Sequence, residues 1–160
     1  MDIGLLLLRL TVGLTLFAHG AQILFGWFGG YGLDATGKAF TALGFPSGRR
    51  HALFAGLAQA GAGILLASGF ITPAASAICV SVMLVAAVSA HVAKGFFIQN
   101  GGYEYTLVLG VAGLTVAFTG PGECSVDSQL GYSVRGVPWG ISAFLLGLLG
   151  GALPLIERHR

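Results

Sequence analysis

The chain has 160 residues, of which 55% are hydrophobic and only 9% charged; it contains 27 glycines, carries a net charge of +2 and has a mean hydropathy of +0.85. Eight basic and six acidic residues cannot clothe a water-soluble domain of this size, so lipid is the solvent for most of the surface. The basic residues are too few and too scattered for a nucleic-acid face, which excludes nucleic acid as a main partner.

A helix needs about 20 apolar residues to cross roughly 30 Å of hydrocarbon. Five stretches approach that length and predict an all-α, integral membrane helical bundle in one transmembrane domain, 1–160. The first span runs over 3–25. Its opening carries Asp2 rather than a basic residue and its apolar run is too long for a secretory signal, so a retained helix is expected. A glycine-rich turn, GWFGGYG from Gly26, ends it. Ala35, Ala39, Phe40 and Leu43 then recur at helical spacing and predict a short interfacial helix, with Pro46 ending it and Ser47 placed to cap the next span. The remaining spans are expected over 52–71, 73–93, 105–119 and 139–156, the last two being short.

With five spans, Lys38, Arg49, Arg50, Lys94, Arg158 and Arg160 fall on one side and Arg135 on the other. This bias predicts an outside N-terminus and a cytoplasmic C-terminus in the bacterial plasma membrane. Trp27, Tyr31, Tyr132 and Trp139 fall near the expected interfaces, as aromatic belts do. Small residues at four-residue spacing, such as Ala143, Gly147 and Gly151 or Gly113 and Ala117, allow close helix packing, either within the bundle or on a dimer face. Cys79 lies in an apolar run and Cys124 in a polar connection, and both are read as free thiols.

Polar groups inside a membrane need partners. His19, Gln59, His91, Tyr103 and Glu104, with Lys94, are all expected at the inner-half level, where they suit a belt fixing helix register, a proton path or a ligand site. A quinone is the ligand whose carbonyls fit such groups. Haem on His19 and His91, or a metal with Glu104 added, has only their common depth behind it, and no metal is expected. Arg9 lies about 15 Å from His19 along the helix. Asp127 in the outer connection is the carboxylate expected to pair with it.

No nucleophile elbow, phosphate loop, Cys-x-x-Cys or dinucleotide fingerprint is present, so any catalysis would take place with a cofactor-carrying partner. The ordered set of LLLRL, Ala18-His19-Gly20, His91-x-x-x-Gly95-Phe96-Phe97, Gly102-Tyr103-Glu104-Tyr105, Thr119-Gly120-Pro121-Gly122, Ser125 and Asp127 resembles the DoxX family of bacterial membrane proteins over about residues 3–130. The resemblance implies a four-helix membrane core and a redox setting. Related DoxD and DoxA chains are subunits of a thiosulfate:quinone oxidoreductase, and mycobacterial DoxX is a membrane partner of a superoxide dismutase and a sulfurtransferase in oxidative-stress defence. Arg9, His19, His91, Tyr103, Glu104 and Asp127 match the family's polar landmarks. Gln59 stands where such chains often carry glutamate, which weakens a proton-carrying role there, and residues 136–160 resemble an added fifth helix. The expectation is a membrane subunit or anchor of a redox assembly with quinone in the inner cluster; a small-solute or proton transporter and a ligand-free assembly subunit are the alternatives.

Overall fold

A computed structural model describes residues 2–158. Among them the chain forms α1 (Asp2–Phe25), α2 (Gly32–Ala42), α3 (Gly48–Ser68), α4 (Thr72–Ala86), α5 (Glu104–Thr119), a short α6 (Val126–Gln129) and α7 (Val137–Glu157). α4 does not stop at Ala86. It continues through a π-helical turn, Ala87–His91, and a 3₁₀ turn, Val92–Lys94, to give a 23-residue apolar rod. α1, α3, this rod and α7 are long and apolar enough to cross a membrane, and α5 is a shorter apolar helix of 16 residues. The all-α bundle with a fifth, C-terminal membrane helix is therefore as the sequence predicts.

Three boundaries depart from expectation. α3 begins at Gly48 rather than at Ala52, because a helix entering the headgroup region keeps its backbone bonds through charged residues that an apolar count leaves out. It ends at Gly69, whose φ of +67° closes the helix before Ile71. Ser47 does not cap α3 through its side chain. Its backbone is left-handed (φ +55°), whereas a capping serine uses extended dihedrals, and only its carbonyl meets the first turn, accepting from Arg50 and His51.

α1 lies against α3 at backbone distance. Gly13 and Gly20 on α1 interlock with Gly63 and Gly56 on α3: a Cβ on Gly13 would lie 2.6 Å from the Ala67 nitrogen, and one on Gly20 would lie 2.5 Å from the Ala60 nitrogen. Small residues allow this approach in lipid, where helices associate by packing. α4 meets α7 in the same way. A Cβ on Gly147 would sit 2.6 Å from Val80 and one on Gly151 2.8 Å from Leu84, while Ala143 is buried, so the α7 row packs inside the chain. Val12, Leu16, Leu66, Ala75, Cys79, Met83 and Leu109, from α1, α3, α4 and α5, fill the centre.

Outside the spans, α2 is tied to the start of α3 by an exposed pair, Arg49 Nε to Asp34 Oδ1 at 2.7 Å. The hydrogen bond and charge of Arg49 hold the Asp34 carboxyl below its ordinary value of 3.8. The pair's contribution is therefore present above that value and lost as pH falls through the lower folded one. Arg49→Gln is expected to make the thermal midpoint less sensitive to acidification from about pH 5 to about pH 3 than it is in the parent, a small effect for an exposed pair, checked by melting both proteins across that range.

Candidate functional site

Among the described residues no hydrogen bond joins any two of His19, Gln59, His91, Tyr103 and Glu104. The expected single cluster is thus divided. His19 is exposed on α1, and its Nε2 lies 3.1 Å from the Tyr105 hydroxyl of α5. His91 donates from Nδ1 to the Gly101 carbonyl at 2.6 Å, because a carbonyl can only accept. Glu104 accepts from the Ile98 amide at 3.0 Å, and the Tyr103 ring stands edge-on to Phe96. His91 and Glu104 both hold the 92–104 connection to the bundle. Position along the helix is read from the sequence, but direction around it is not, and that direction gives them local partners. No group of three or more His, Cys, Asp or Glu placed to hold a metal occurs among the described residues.

Gln59 goes elsewhere. It lines a cavity of about 330 Å³ between α2, α3, α4 and α7, together with Phe40, His51, Ser81, Ser89 and Pro154. The walls are otherwise apolar. Gln59 is half-buried, and its carboxamide makes no hydrogen bond to the described residues. Ser89 is occupied, donating to the Val85 carbonyl at 2.6 Å within the stretch where α4 loosens into its π turn. His51 is stacked on Phe45, with ring centroids 5.1 Å apart, and its Nε2 lies 3.3 Å from Glu157 Oε2 at the end of α7. Next to that contact, Arg158 Nε donates to the Leu43 carbonyl at 2.7 Å, so the last turn of α7 fastens onto the α2–α3 connection.

Sequence reasoning misses His51, Ser81 and Ser89. His51 follows Arg49 and Arg50 and reads as part of a solvated flank. The signal that could find them is helical spacing, since His51, Ala55, Ala58 and Gln59 share one face of α3, as Ser81, Val85 and Ser89 share one face of α4.

At the other end of the bundle Arg9 and Asp127 are both fully buried, but they do not form the expected ion pair. Among the described residues the ion pairs are Arg49–Asp34 and His51–Glu157. Asp127 is drawn instead to the N-terminus of α4, where its oxygens accept from Ile71 (2.8 Å) and Thr72 (2.9 Å) while its own amide donates to the Gly69 carbonyl at 2.9 Å. A carboxylate on free first-turn amides is favoured by hydrogen bonding and by the helix dipole together. Arg9 donates from Nη2 to the Cys124 carbonyl and packs against Gly69. The two charges hold the connection between α5 and α7 from separate anchors.

The DoxX family model matches residues 4–92, a little over half of the chain. The chain belongs to the DoxX family. It is therefore a multi-pass membrane protein of DoxX type, and the match covers α1 to α4, all four of which contribute to the lining of the Gln59 cavity. The match ends near His91, short of residue 130, where the resemblance in the sequence motifs ends; α5 and α7 lie beyond it. No curated protein and no solved structure matches this DoxX chain.

Proposed function

We propose that this DoxX chain is the membrane subunit of a redox assembly in the bacterial plasma membrane, and that it lodges a quinone-type ring in the cavity between α2, α3, α4 and α7. The observation that carries this reading is the Gln59 carboxamide, without a hydrogen bond among the described residues, in a mostly apolar cavity of about 330 Å³. Such a group calls for a ligand that is apolar in body and has a hydrogen-bonding oxygen at its edge, and the volume is within the range of small-molecule sites. A ring carbonyl accepts from the Gln59 amide, while His51, held between the Ser47 carbonyl and Glu157, helps shape the wall. The basic residues Lys38, Arg49, Arg50, Lys94 and Arg158 favour a cytoplasmic location for this end, with the N-terminus outside. The electron-carrying cofactor belongs to a protein partner, and the cavity gives that partner access to the membrane's quinone pool.

The test is equilibrium binding of a short-chain ubiquinone analogue to the purified protein in detergent. Saturable binding is expected, weakened about tenfold by Gln59→Leu through loss of one hydrogen bond worth about 1.4 kcal/mol. Equal binding by parent and Gln59→Leu would remove the cavity from the proposal. A stoichiometric oxidoreductase is expected to co-purify from gently solubilised native membrane, and a chain that emerges alone would contradict the assembly role.

A further inference from the structure

A second cavity, of about 490 Å³, lies at the opposite end of the bundle, where α1 begins, α5 ends and the connection to α7 turns back. Its character differs from that of the first. Asp2, Glu123, Arg135, Ser128 and Tyr132 line it, so acidic, basic and hydroxyl-bearing residues share its wall. Among the described residues neither Glu123 nor Arg135 has an ion-pair partner, and Asp2 uses one oxygen, Oδ1, to accept from the Glu123 amide at 3.1 Å. Opposite charges thus share one cavity without neutralising each other.

The walls are built rather than loose. Arg9 grips the Cys124 carbonyl beside Glu123, Asp127 pins the segment to α4, and Ser125 caps α6 by accepting from the Ser128 amide at 3.2 Å. Arg135 is seated against Gly120, where a Cβ would come within 2.8 Å of the Arg135 Cβ and where φ is +81°. The Gly136 amide closes the turn on the Phe118 carbonyl at 2.8 Å. Helix ends and the exposed Tyr132 and Trp139 place the cavity at the level of the membrane boundary.

We propose that this cavity binds a small zwitterion, its ammonium on the Asp2 and Glu123 carboxylates and its anionic group on Arg135. An ammonium with hydrogens to donate and an anion with oxygens to accept satisfy both walls at once, whereas a simple anion or cation leaves one wall unmatched. Phosphoethanolamine has this chemistry, either as the headgroup of phosphatidylethanolamine or as a free solute. The reading is independent of the quinone proposal, since the two cavities share no residue.

The experiment is native mass spectrometry of the protein taken from mixed phosphatidylethanolamine and phosphatidylcholine nanodiscs, with O-phosphoethanolamine as a soluble competitor. At least fivefold preferential retention of phosphatidylethanolamine is expected, because the trimethylated choline cannot donate hydrogen bonds to the carboxylates. Arg135→Ala and Glu123→Gln are each expected to abolish the preference, and as both residues are exposed the substitutions leave the bundle folded. Displacement by millimolar O-phosphoethanolamine would assign the site to the free headgroup chemistry, and a preference that resists it would assign the site to the lipid. Equal retention of the two lipids by the parent, or a preference surviving in both variants, overturns the proposal.

Discussion

Gly20→Ala is expected to cost about 3 kcal/mol or more of stability, at or above the upper end for overpacking a closed core. The added methyl would meet backbone, 2.5 Å from the Ala60 nitrogen and 2.7 Å from the Gly56 carbonyl oxygen, and backbone inside a helix cannot rotate aside as a side chain can. Gly13→Ala meets the Ala67 nitrogen and the Gly63 carbonyl at 2.6 Å and is expected to behave alike. The internal control is Gly4, on the same helix, where an added methyl would find nothing within 4 Å. Gly4→Ala should be neutral or slightly stabilising, since alanine is the better helix former by about 1 kcal/mol at most. Unfolding midpoints in mixed detergent and SDS measure all three. If Gly20→Ala and Gly4→Ala unfold together, the α1–α3 seam is not packed as described.

Asp127→Ala is expected to cost about 3–5 kcal/mol, since each buried amide left without its acceptor costs about 1–3 kcal/mol and there are two. Two consequences combine. The amides of Ile71 and Thr72 lose their acceptors at a buried helix start, and the fully buried Arg9 loses the nearby negative charge. Asp127→Asn keeps one acceptor and the shape, so it should fall between parent and Ala. A double-mutant cycle with Arg9→Met separates the effects. A coupling of about 0.5 kcal/mol or more is expected from shared electrostatics, and strict additivity would mean that Asp127 acts only as the α4 cap.

The helices are legible in the sequence because hydrophobic length is a one-dimensional property, and the π turn in α4 does not hide a span whose apolar run continues through it. A position along each helix is legible for the same reason. Azimuth is not. His19 turns to Tyr105, His91 to Gly101 and Glu104 to Ile98, each choice depending on which neighbouring helix is within reach, and that is decided by the glycine seams. Arg9 and Asp127 do meet at one end of the bundle, but charge alone pairs them wrongly. Pro73 marks the start of α4 in the sequence, but the free amides that win Asp127 come within its reach only once the Gly69 turn has formed. His51 escapes notice because its neighbours Arg49 and Arg50 are solvent-facing, though two turns of helix connect it to Gln59.

The last turn of α7 fastens the α2–α3 connection through Arg158 and Leu43 and touches His51 through Glu157, while Pro154 completes the Gln59 cavity. α7 is also the last of these helices to leave the ribosome. The family-matched helices α1 to α4 precede it in the chain, and Pro154 is what α7 adds to the cavity that they line. The wall that closes this cavity therefore comes in part from a helix outside the family-matched segment, so a change confined to α7 can alter the shape of the cavity without touching the helices that the family model covers.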